Sequence, residues 1–468
     1  MKVCLINPPW SVKKGNIWKH IRSTMPSLGL LYLAAVLEDN KIDVDVIDYQ
    51  ASRLSWNEIE ENLKSCRCDF FGITSTTPIV KNGYRISQII KKFHPGSKIV
   101  FGGIHVTALP EEPFNKAAVD YVIRGEGEEA FLKLVQGVPR EKIHGLSFKQ
   151  GIKIYHIKPD GIVTDLDSLP LPAFHKVDLT QYKPAVGAYK RLPALNMMTT
   201  RGCPGRCTFC NSAKIKLRKR SAENIFREMR MLSEKYGIRE ISFYDDTFTS
   251  YPRNVIKLCD LLINSKIDLT WCCFARPDTV NYDMLKKMKS AGCHQIMYGI
   301  ESANRDILKN IKKPIDHEKN INAVEMAQKA GLTVRCTFMF GNPGETEATI
   351  DETIRYSIQL DPDIALYNIT TPYPGTEMFN WAKKKGYLKT EDWADYDLGE
   401  PVMLLPTISV DEIKRKYIQA FNRFYFRPRF ILKKLIGLLL FKDDIHLYME
   451  GIKKLYKFTK SHIFKAHS

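Results

Sequence analysis

The sequence predicts an α/β protein with two domains in series, followed by a helical tail. Short β-rich runs alternate with helical patterns over residues 1–140, and six further strand–helix units recur over residues 194–395. A stretch richer in Gly and Pro, residues 141–193, is predicted to link them, and residues 396–468 form the tail. The 468 residues, 44% of them hydrophobic and 26% charged, suffice for two or three globular domains.

The first domain is predicted to be a doubly wound, Rossmann-like sheet. Strands that alternate with helices form parallel sheets. The predicted strands are Val3–Asn7, Val44–Asp48, Phe70–Ser75, Ile99–Gly103 and Tyr121–Gly125. The predicted helices are Leu28–Asp39, Trp56–Ser65, Asn82–Phe93, Ala108–Asn115 and Glu128–Val135.

The carboxyl ends of these strands are the candidate ligand-binding edge, because doubly wound sheets bind ligands there. Ser75 and Thr76 follow the third strand, and a Gly-Glu-Gly-Glu run over residues 125–128 follows the fifth. Gly102 and Gly103 follow the fourth, where glycine lets a bulky group approach the backbone. A nucleotide is one candidate ligand, although no G-x-G-x-x-G fingerprint follows the first strand.

The linker is predicted to contain a β-hairpin and a proline-stiffened connector. Two β-rich runs, residues 143–149 and 152–157, flank a turn at Gln150-Gly151. Residues 165–172 carry two prolines and no regular period. The boundary between the domains is therefore predicted within residues 141–193.

The second domain is predicted to be a partial (β/α)6 barrel of the TIM type. The active sites of such barrels lie at the carboxyl ends of the strands. The predicted strands are Ala194–Thr199, Glu240–Tyr244, Thr270–Phe274, Gln295–Gly299, Thr333–Phe340 and Ile364–Thr370.

Three cysteines directly after the first of these strands are the most informative motif. Cys203, Cys207 and Cys210 have the spacing C-x3-C-x2-C. Three thiolates this close can hold three irons of a 4Fe–4S cube and leave the fourth iron open to a substrate. A structural zinc site would need a fourth Cys or His at a matching distance, and none follows. The other five cysteines of this domain are scattered, which favours packing roles.

This loop resembles the signature of the radical S-adenosylmethionine superfamily, as do a Gly-Asn-Pro-Gly-Glu-Thr turn over residues 341–346 and other strand ends. The resemblance implies that the three cysteines form the metal site and the catalytic centre. There the reduced cluster cleaves S-adenosylmethionine to a 5′-deoxyadenosyl radical. The resemblance also implies that S-adenosylmethionine contacts Phe209, Tyr244, Asp245, Asp246, Glu301, Ser302, Gly341 and Pro343.

Structural roles are open alternatives for several of these residues. Asp245 or Asp246 could cap a helix, and Glu301 could form a surface ion pair. Arg276 and Arg335 lie near predicted strand ends, where each could bind a carboxylate group or form a structural ion pair.

The first domain resembles the cobalamin-binding domain that precedes many radical S-adenosylmethionine enzymes. The resemblance implies that Ser75, Thr76, Gly102 and Gly103 line the groove for the nucleotide tail of cobalamin. Many such domains carry D-x-H-x-x-G after the second strand, whereas Gln50 stands here in the place of the histidine. An amide is a poor cobalt ligand, so no histidine ligand is expected from this loop. His105 is another candidate ligand, with a turn-capping or surface role as the alternative.

The net charge of +18 is concentrated near the carboxyl terminus, where residues 411–468 hold 14 Lys and Arg against 5 Asp and Glu. Aromatic and aliphatic residues interleave with these cations, so the tail is predicted either to pack on the barrel or to contact a membrane surface peripherally. No nucleic-acid partner is expected, because no known nucleic-acid-binding module is present. The odd cysteine count and the start of the chain favour a cytoplasmic, anaerobic setting.

The two resemblances together predict a cobalamin-dependent radical S-adenosylmethionine enzyme. The main prediction is a C-methyltransferase that acts on an unactivated carbon of a small-molecule or lipid-like substrate, with flavodoxin or ferredoxin as electron donor. One alternative is an oxidative cyclase of the anaerobic tetrapyrrole type. Another is a non-catalytic protein that senses cobalamin or redox state.

Overall fold

A computed structural model describes residues 1–10 and 23–433. The predicted tail is therefore covered only as far as Lys433, and the prediction of membrane contact falls largely on residues 434–468, outside the described part. Within the described residues, no helix combines the length and the apolar composition that crossing a bilayer would require.

The first sheet has seven strands in the order β2-β1-β3-β4-β5-β6-β7, and its first five are parallel. This is the predicted doubly wound arrangement, with β1 between β2 and β3. The strands are β1 Lys2–Asn7, β2 Asp43–Asp48, β3 Phe70–Thr74, β4 Lys98–Gly102, β5 Tyr121–Ile123, β6 Leu146–Gln150 and β7 Lys153–His156.

The hairpin β6–β7 belongs to the first sheet, because β6 pairs antiparallel with β5. This hairpin lies in the stretch predicted as a linker. Its pairing extends the sheet of the first domain to His156, beyond the predicted boundary at residue 140. Hydrophobic residues of β6, among them Leu146 and Phe148, are fully buried in the core of the first domain, which is why the hairpin docks there.

Among the described residues of the first domain, seven helices accompany the sheet. The predicted helix over residues 108–115 is two short helices, since Leu109 precedes Pro110 and proline disfavours helical backbone in the residue before it. The helices are α1 Leu28–Asp39, α2 Tyr49–Ser52, α3 Trp56–Ser65, α4 Val80–Phe93, α5 Ile104–Ala108, α6 Glu112–Lys116 and α7 Glu128–Val135.

The second domain is a partial barrel of six parallel strands in the order β8-β11-β12-β13-β14-β15. A two-stranded antiparallel ribbon, β9–β10, flanks the cysteine loop. The strands are β8 Ala194–Met197, β9 Thr200–Arg201, β10 Arg218–Lys219, β11 Glu240–Phe243, β12 Thr270–Ala275, β13 Cys293–Glu301, β14 Thr333–Phe340 and β15 Ile364–Ile369.

Helices cover the outside of the barrel, and the last described one packs against β15 and its neighbouring helix. The predicted fold class, a doubly wound sheet followed by a (β/α)6 partial barrel and a helical region, is confirmed. The helices are α8 Ala222–Tyr236, α9 Pro252–Ser265, α10 Tyr282–Ser290, α11 Arg305–Asn310, α12 His317–Lys329, α13 Glu347–Leu360, α14 Glu377–Lys384 and α15 Val410–Tyr425.

Candidate active site

The cysteine loop joins β9 to β10, and the carboxylate of Asp245 holds the backbone that leads into it. The backbone nitrogen of Thr199 donates to Asp245 Oδ1 at 2.7 Å, and the backbone nitrogen of Thr200 donates to the same oxygen. Both threonine hydroxyls also donate to this carboxylate, at 3.0 and 2.8 Å. Complete burial raises the pKa of Asp245 to about 6, although these hydrogen bonds oppose the shift.

Asp245 therefore positions the loop, whereas its neighbour Asp246 faces the cavity described below. The resemblance implies S-adenosylmethionine contacts for both, and the structure brings only Asp246 to a ligand-accessible wall. Asp246 lies in the turn that follows β11, whereas Asp245 is hydrogen-bonded inside to Thr199 and Thr200.

The thiols of Cys203 and Cys207 converge beside Gly205. A Cβ atom at Gly205 would lie 3.4 Å from Cys203 Sγ and 3.8 Å from Cys207 Sγ, so glycine leaves this space free. Burial raises the pKa of Cys207, while the positive charges of Lys313 and Arg276 lower it. All three cysteines are free thiols. Thiol donors with nearby cations fit a cluster held by thiolates.

Glu301 lies at the mouth of β13 but is committed to a buried ion pair. Its Oε1 atom is 2.6 Å from Lys313 Nζ, and both side chains are about 8% exposed. The backbone of Glu301 is left-handed, with φ of 69°, beside an irregularity in the pairing of β13 with β14. A Cβ atom at Gly299 would lie only 2.4 Å from Glu301 Oε1, so a side chain there would displace the ion pair. The ion pair is buried rather than on the surface.

The neighbouring predicted site residues have structural hydrogen bonds. The hydroxyl of Ser302 is buried, lies 3.2 Å from Thr353 Oγ1 and accepts a hydrogen bond from the backbone nitrogen of Asn304. The carbonyl of Pro343 accepts a hydrogen bond from Asn310 Nδ2 at 2.9 Å.

Gly341, with φ of 87°, donates its backbone N–H to Glu345 Oε2 at 2.6 Å. Glu345 is fully buried and also accepts a hydrogen bond from the backbone nitrogen of Asn342. Burial raises the pKa of Glu345 to about 8, so this carboxyl group is mostly neutral at pH 7. Glu345 thus fixes the Gly-Asn-Pro-Gly-Glu-Thr turn from inside, a role that the motif alone does not reveal.

Of the two aromatic residues of the predicted site, one packs against the core and the other lines a cavity. Phe209 is partly buried and packs against the hydrophobic core of the barrel. Tyr244 is 40% exposed, lies 5.7 Å from the ring of Phe274 and lines the cavity.

A cavity of about 350 Å³ lies between the two domains, at the carboxyl edge of the first sheet and beside the cysteine loop. Ligand sites of small molecules are typically concave and of this size or larger. Residues of both domains line it, among them Gly102, Gly103, Gly125, Gly202, Tyr244 and Asp246.

The first-domain wall of this cavity is a glycine cradle. A Cβ atom at Gly29, Gly102 or Gly125 would meet no atom within 4 Å, so each of these positions opens onto free space that a side chain would fill. Gly103 is constrained instead: its φ is 101°, and a Cβ atom would lie 2.6 Å from the carbonyl oxygen of Ser75. An open wall without side chains fits a bulky ligand such as cobalamin.

Ser75 and Thr76 do not line the cavity. The buried hydroxyl of Ser75 donates to the carbonyl of Gly102 at 2.8 Å and ties the ends of β3 and β4 together. Thr76 is exposed and precedes a short 3₁₀ turn. Thr74 takes their place in the wall. Strand β3 ends at Thr74, one residue before the end predicted from the sequence. With the strand end at Thr74, the same reasoning about strand ends would have indicated Thr74 as a candidate wall residue.

Gln50 and His105 are both engaged away from the cavity. Gln50 Nε2 donates to Asn7 Oδ1 at 3.1 Å. His105 is buried, with its Nδ1 atom 3.2 Å from Thr77 Oγ1 and its ring 5.2 Å from that of Trp393. His105 is therefore a packed core residue rather than the surface or capping residue that the sequence suggests.

Two arginines connect the cysteine-loop ribbon to the first domain beside the cavity. Arg218 donates to Glu126 Oε1 at 2.5 Å and to its Oε2 at 3.0 Å. Arg201 donates to Glu128 Oε1 at 2.5 Å and lies 3.4 Å from Glu126. Bidentate arginine–carboxylate pairs hold a fixed geometry, so these contacts set how the domains meet. The Gly-Glu-Gly-Glu run hinted at the carboxylates, but no sequence signal indicated the arginines.

Comparison with known families agrees with this two-domain site. Residues 197–357 match the family model of the radical SAM superfamily. Residues 17–135 match that of the B12 binding domain. An uncharacterized methyltransferase of Pyrococcus horikoshii is 35% identical over 442 residues, covering 92% of this chain and 94% of the relative.

The chain belongs to the family of B12-binding radical SAM enzymes. The predicted family is thereby confirmed. The chain is also similar to the anaerobic magnesium-protoporphyrin IX monomethyl ester cyclase of Rubrivivax gelatinosus, with 25% identity covering 92% of this chain and 78% of the relative.

A solved structure has the same fold over nearly the whole chain. The radical S-adenosylmethionine methyltransferase TsrM of Kitasatospora setae, whose structure holds cobalamin and a 4Fe–4S cluster, superposes with a TM-score of 0.69. The alignment covers 92% of this chain and 89% of TsrM at 17% identity. The prediction of an enzyme with a 4Fe–4S cluster, S-adenosylmethionine and cobalamin as cofactors is confirmed.

Proposed function

We propose that this B12-binding radical SAM enzyme is a C-methyltransferase that acts on an unactivated carbon of a small-molecule substrate. One observation carries the proposal: a single cavity is lined by the glycine cradle of the first domain and by the mouth of the barrel beside the cysteine loop. A methyl carrier and a radical generator must act on the same substrate carbon, so their sites must share one space.

Each wall of the cavity has a distinct task in this proposal. When bound, the reduced cluster cleaves S-adenosylmethionine and the cobalamin carries the methyl group. Cys203, Cys207 and Cys210 would hold the cluster, and Gly102 and Gly125 would leave room for the cobalamin.

The remaining residues orient the ligands and exclude water. Tyr244 and Asp246, in the barrel wall, would contact S-adenosylmethionine. The ion pairs of Arg201 and Arg218 with the first domain close one side of the cavity and hold its walls at a fixed separation. Asp245 keeps the cysteine loop in place through Thr199 and Thr200.

Electron delivery and localisation are further parts of the proposal. A reduced cluster needs an external one-electron donor, and a flavodoxin or ferredoxin is the proposed partner in a cytoplasmic setting. Contact of the basic tail with an anionic membrane would suit a lipid-like substrate, because Lys and Arg interleave with apolar residues there.

The first experiment is anaerobic reconstitution with iron, sulfide and cobalamin, followed by reduction in the presence of S-adenosylmethionine. Formation of 5′-deoxyadenosine and the visible spectrum of retained cobalamin are measured. A variant with Cys203, Cys207 and Cys210 all changed to Ala is the negative control. Cys259→Ala, a buried cysteine of α9, is the matched control that should keep the activity.

Formation of 5′-deoxyadenosine by the wild type but not the triple variant, together with retained cobalamin, is the expected result. Failure to retain cobalamin would contradict methyl transfer. The oxidative cyclase, an activity for which several relatives of this chain are named, is distinguished with methyl-deuterated S-adenosylmethionine and a small-molecule extract. Methylation gives a product in which a trideuteromethyl group replaces one hydrogen of the substrate, whereas cyclisation transfers no deuterium to the product.

A further inference from the structure

Partly exposed side chains line the inside of the barrel, and at the level of Gln295 and Cys272 the carbonyls of Gly187 and Ala188 accept hydrogen bonds from these two residues. Along β12, β14 and β15, fully buried residues alternate with partly exposed ones. The buried set, which includes Trp271, Cys336 and Tyr367, belongs to the core shared with the outer helices. The partly exposed set, which includes Cys272 and Asn368, therefore faces the lumen. TIM barrels normally fill this space with side chains, so partial exposure here marks room for a ligand.

Arg335 lies on the lumen side of β14. Its Nη1 atom donates to Gln295 Oε1 at 3.2 Å, and its Nε atom is buried without a hydrogen-bond partner among the described residues. The titratable groups that act on its guanidinium are Cys272, Tyr244 and Tyr425. A thiol and two phenols are neutral at pH 7, so none of them supplies a counter-charge.

Two other charged groups near the barrel mouth, Arg276 and Glu301, are paired. Arg276 forms a bidentate contact with Asp278, at 2.9 and 2.7 Å. Glu301 is neutralised by Lys313 at 2.6 Å. Outside the described part of the chain, residues 11–22 contain no Asp or Glu, and residues 434–468 contain Asp443, Asp444 and Glu450. An arginine stays protonated even when burial lowers its pKa, as it does for Arg335.

The Arg335 side chain is partly exposed, but its Nε atom is buried, and a buried N–H group without a partner is costly because its desolvation is not compensated. Native structures keep such groups where a ligand completes them. We propose that the barrel lumen binds an oxyanion group of the substrate, a carboxylate or a phosphate, through the guanidinium of Arg335. This inference rests on the proposed function, because it assigns the lumen to the methyl acceptor.

The position of Arg335 indicates which part of the substrate it holds. Phe340 ends β14 at the barrel mouth, five residues beyond Arg335, a distance of about 16 Å along a strand. The anionic group would thus sit deep in the lumen while the rest of the substrate extends towards the cysteine loop. The substrate would therefore carry its anionic group far from the reacting carbon. The contact of that group with Arg335 would orient the reacting carbon.

The test measures thermal unfolding of the anaerobically reconstituted holoenzyme with sodium phosphate or sodium acetate, against sodium chloride at equal ionic strength. Wild type is compared with Arg335→Met, which keeps the length but not the charge, and with Arg335→Lys, which keeps the charge. Arg355→Met, at an exposed position of α13, is the matched control. A rise of about 1.5 °C in the melting midpoint is expected at roughly ten times the dissociation constant of the anion.

The expected result is a saturable rise in wild type and in Arg355→Met, a smaller one in Arg335→Lys and none in Arg335→Met. A response to phosphate alone identifies a phosphate group, and a response to acetate identifies a carboxylate. An equal response of Arg335→Met and wild type, or no response of wild type to either anion, overturns the inference.

The formation of 5′-deoxyadenosine separates this inference from the proposed function. If the protein binds the anion through Arg335 but forms no 5′-deoxyadenosine, the anion site is supported and the proposed function is contradicted. If 5′-deoxyadenosine forms but Arg335→Met responds to the anion as the wild type does, only the anion site is contradicted.

Discussion

Arg218 and Glu126 form a bidentate ion pair between the ribbon of the cysteine loop and the first domain, with N–O distances of 2.5 and 3.0 Å. The two residues are 92 positions apart in the sequence, and their side chains are only 6% and 18% exposed. The carbonyl of Val163 also accepts a hydrogen bond from Arg218, so three segments meet at one guanidinium. This contact lies at the wall of the proposed cobalamin cavity.

Arg218→Gln is expected to weaken cobalamin retention, because it removes the ion pair with Glu126 that connects the two walls of the cavity. Loss of one partner of a buried pair typically costs about 3 kcal/mol. Cobalamin that remains after gel filtration, together with the melting midpoint, measures both effects. Arg230→Gln removes a surface arginine that lies 3.9 Å from Glu234, and it should change neither. Full cobalamin retention in Arg218→Gln would show that the pair does not set the cavity.

Gly102→Val is expected to reduce cobalamin binding at least several-fold, because its side chain would project into the open glycine cradle. The cluster absorption of the reconstituted protein should be unaffected. Gly96→Val places the same side chain at another glycine whose Cβ position meets no atom within 4 Å, away from the cavity. If both variants bind cobalamin like wild type, the cradle is not the binding site.

Lys313→Met is expected to destabilise the barrel strongly, since Glu301 would keep a buried charge without a partner. A cost of about 3 to 5 kcal/mol is typical of such changes. The adjacent Lys312→Met breaks the exposed pair with Glu377 and should cost under about 1 kcal/mol. Urea denaturation of the two variants gives the comparison. Similar midpoints for both would mean that the Glu301 charge is solvated.

Glu345→Gln is expected to change how stability depends on pH. The folded pKa of Glu345 is raised to about 8, so its protonated form stabilises the fold fully below the unfolded pKa near 4.3. That stabilisation declines as pH rises and is lost above about 8, by up to about 1.4 kcal/mol per pH unit. The glutamine variant lacks this decline. Melting midpoints of both proteins from pH 5.5 to 8.5 should therefore converge or cross, and parallel curves would contradict the raised pKa.

The strands and helices were largely predictable, because they depend on local patterns. Three of the predicted first-domain helices, including Leu28–Asp39 and Trp56–Ser65, have the observed bounds, and Thr333–Phe340 is a strand as predicted. The hairpin β6–β7 was recognised as a hairpin, but its pairing with β5 was not. Register across a domain boundary depends on which apolar faces meet, and local periodicity does not encode that.

The individual site residues were harder to predict, because a motif marks a segment and not the partner of each side chain. Asp245 and Asp246 are adjacent, yet one holds Thr199 and Thr200 and the other faces the cavity. Ser75 matches the family motif, but its hydroxyl bonds the carbonyl of Gly102.

Alternating hydrophobic patterns indicated the fold class and the order of the domains, and the motifs that resemble a known family implied the cofactors, because both kinds of signal lie in residues close together in the chain. The roles of the charged residues emerged only from the folded chain. Arg276 and Arg335 look alike in the sequence, but one meets Asp278 and the other meets no carboxylate among the described residues. Burial and pairing of a charge are set by residues brought together from distant segments, and they determine its energy.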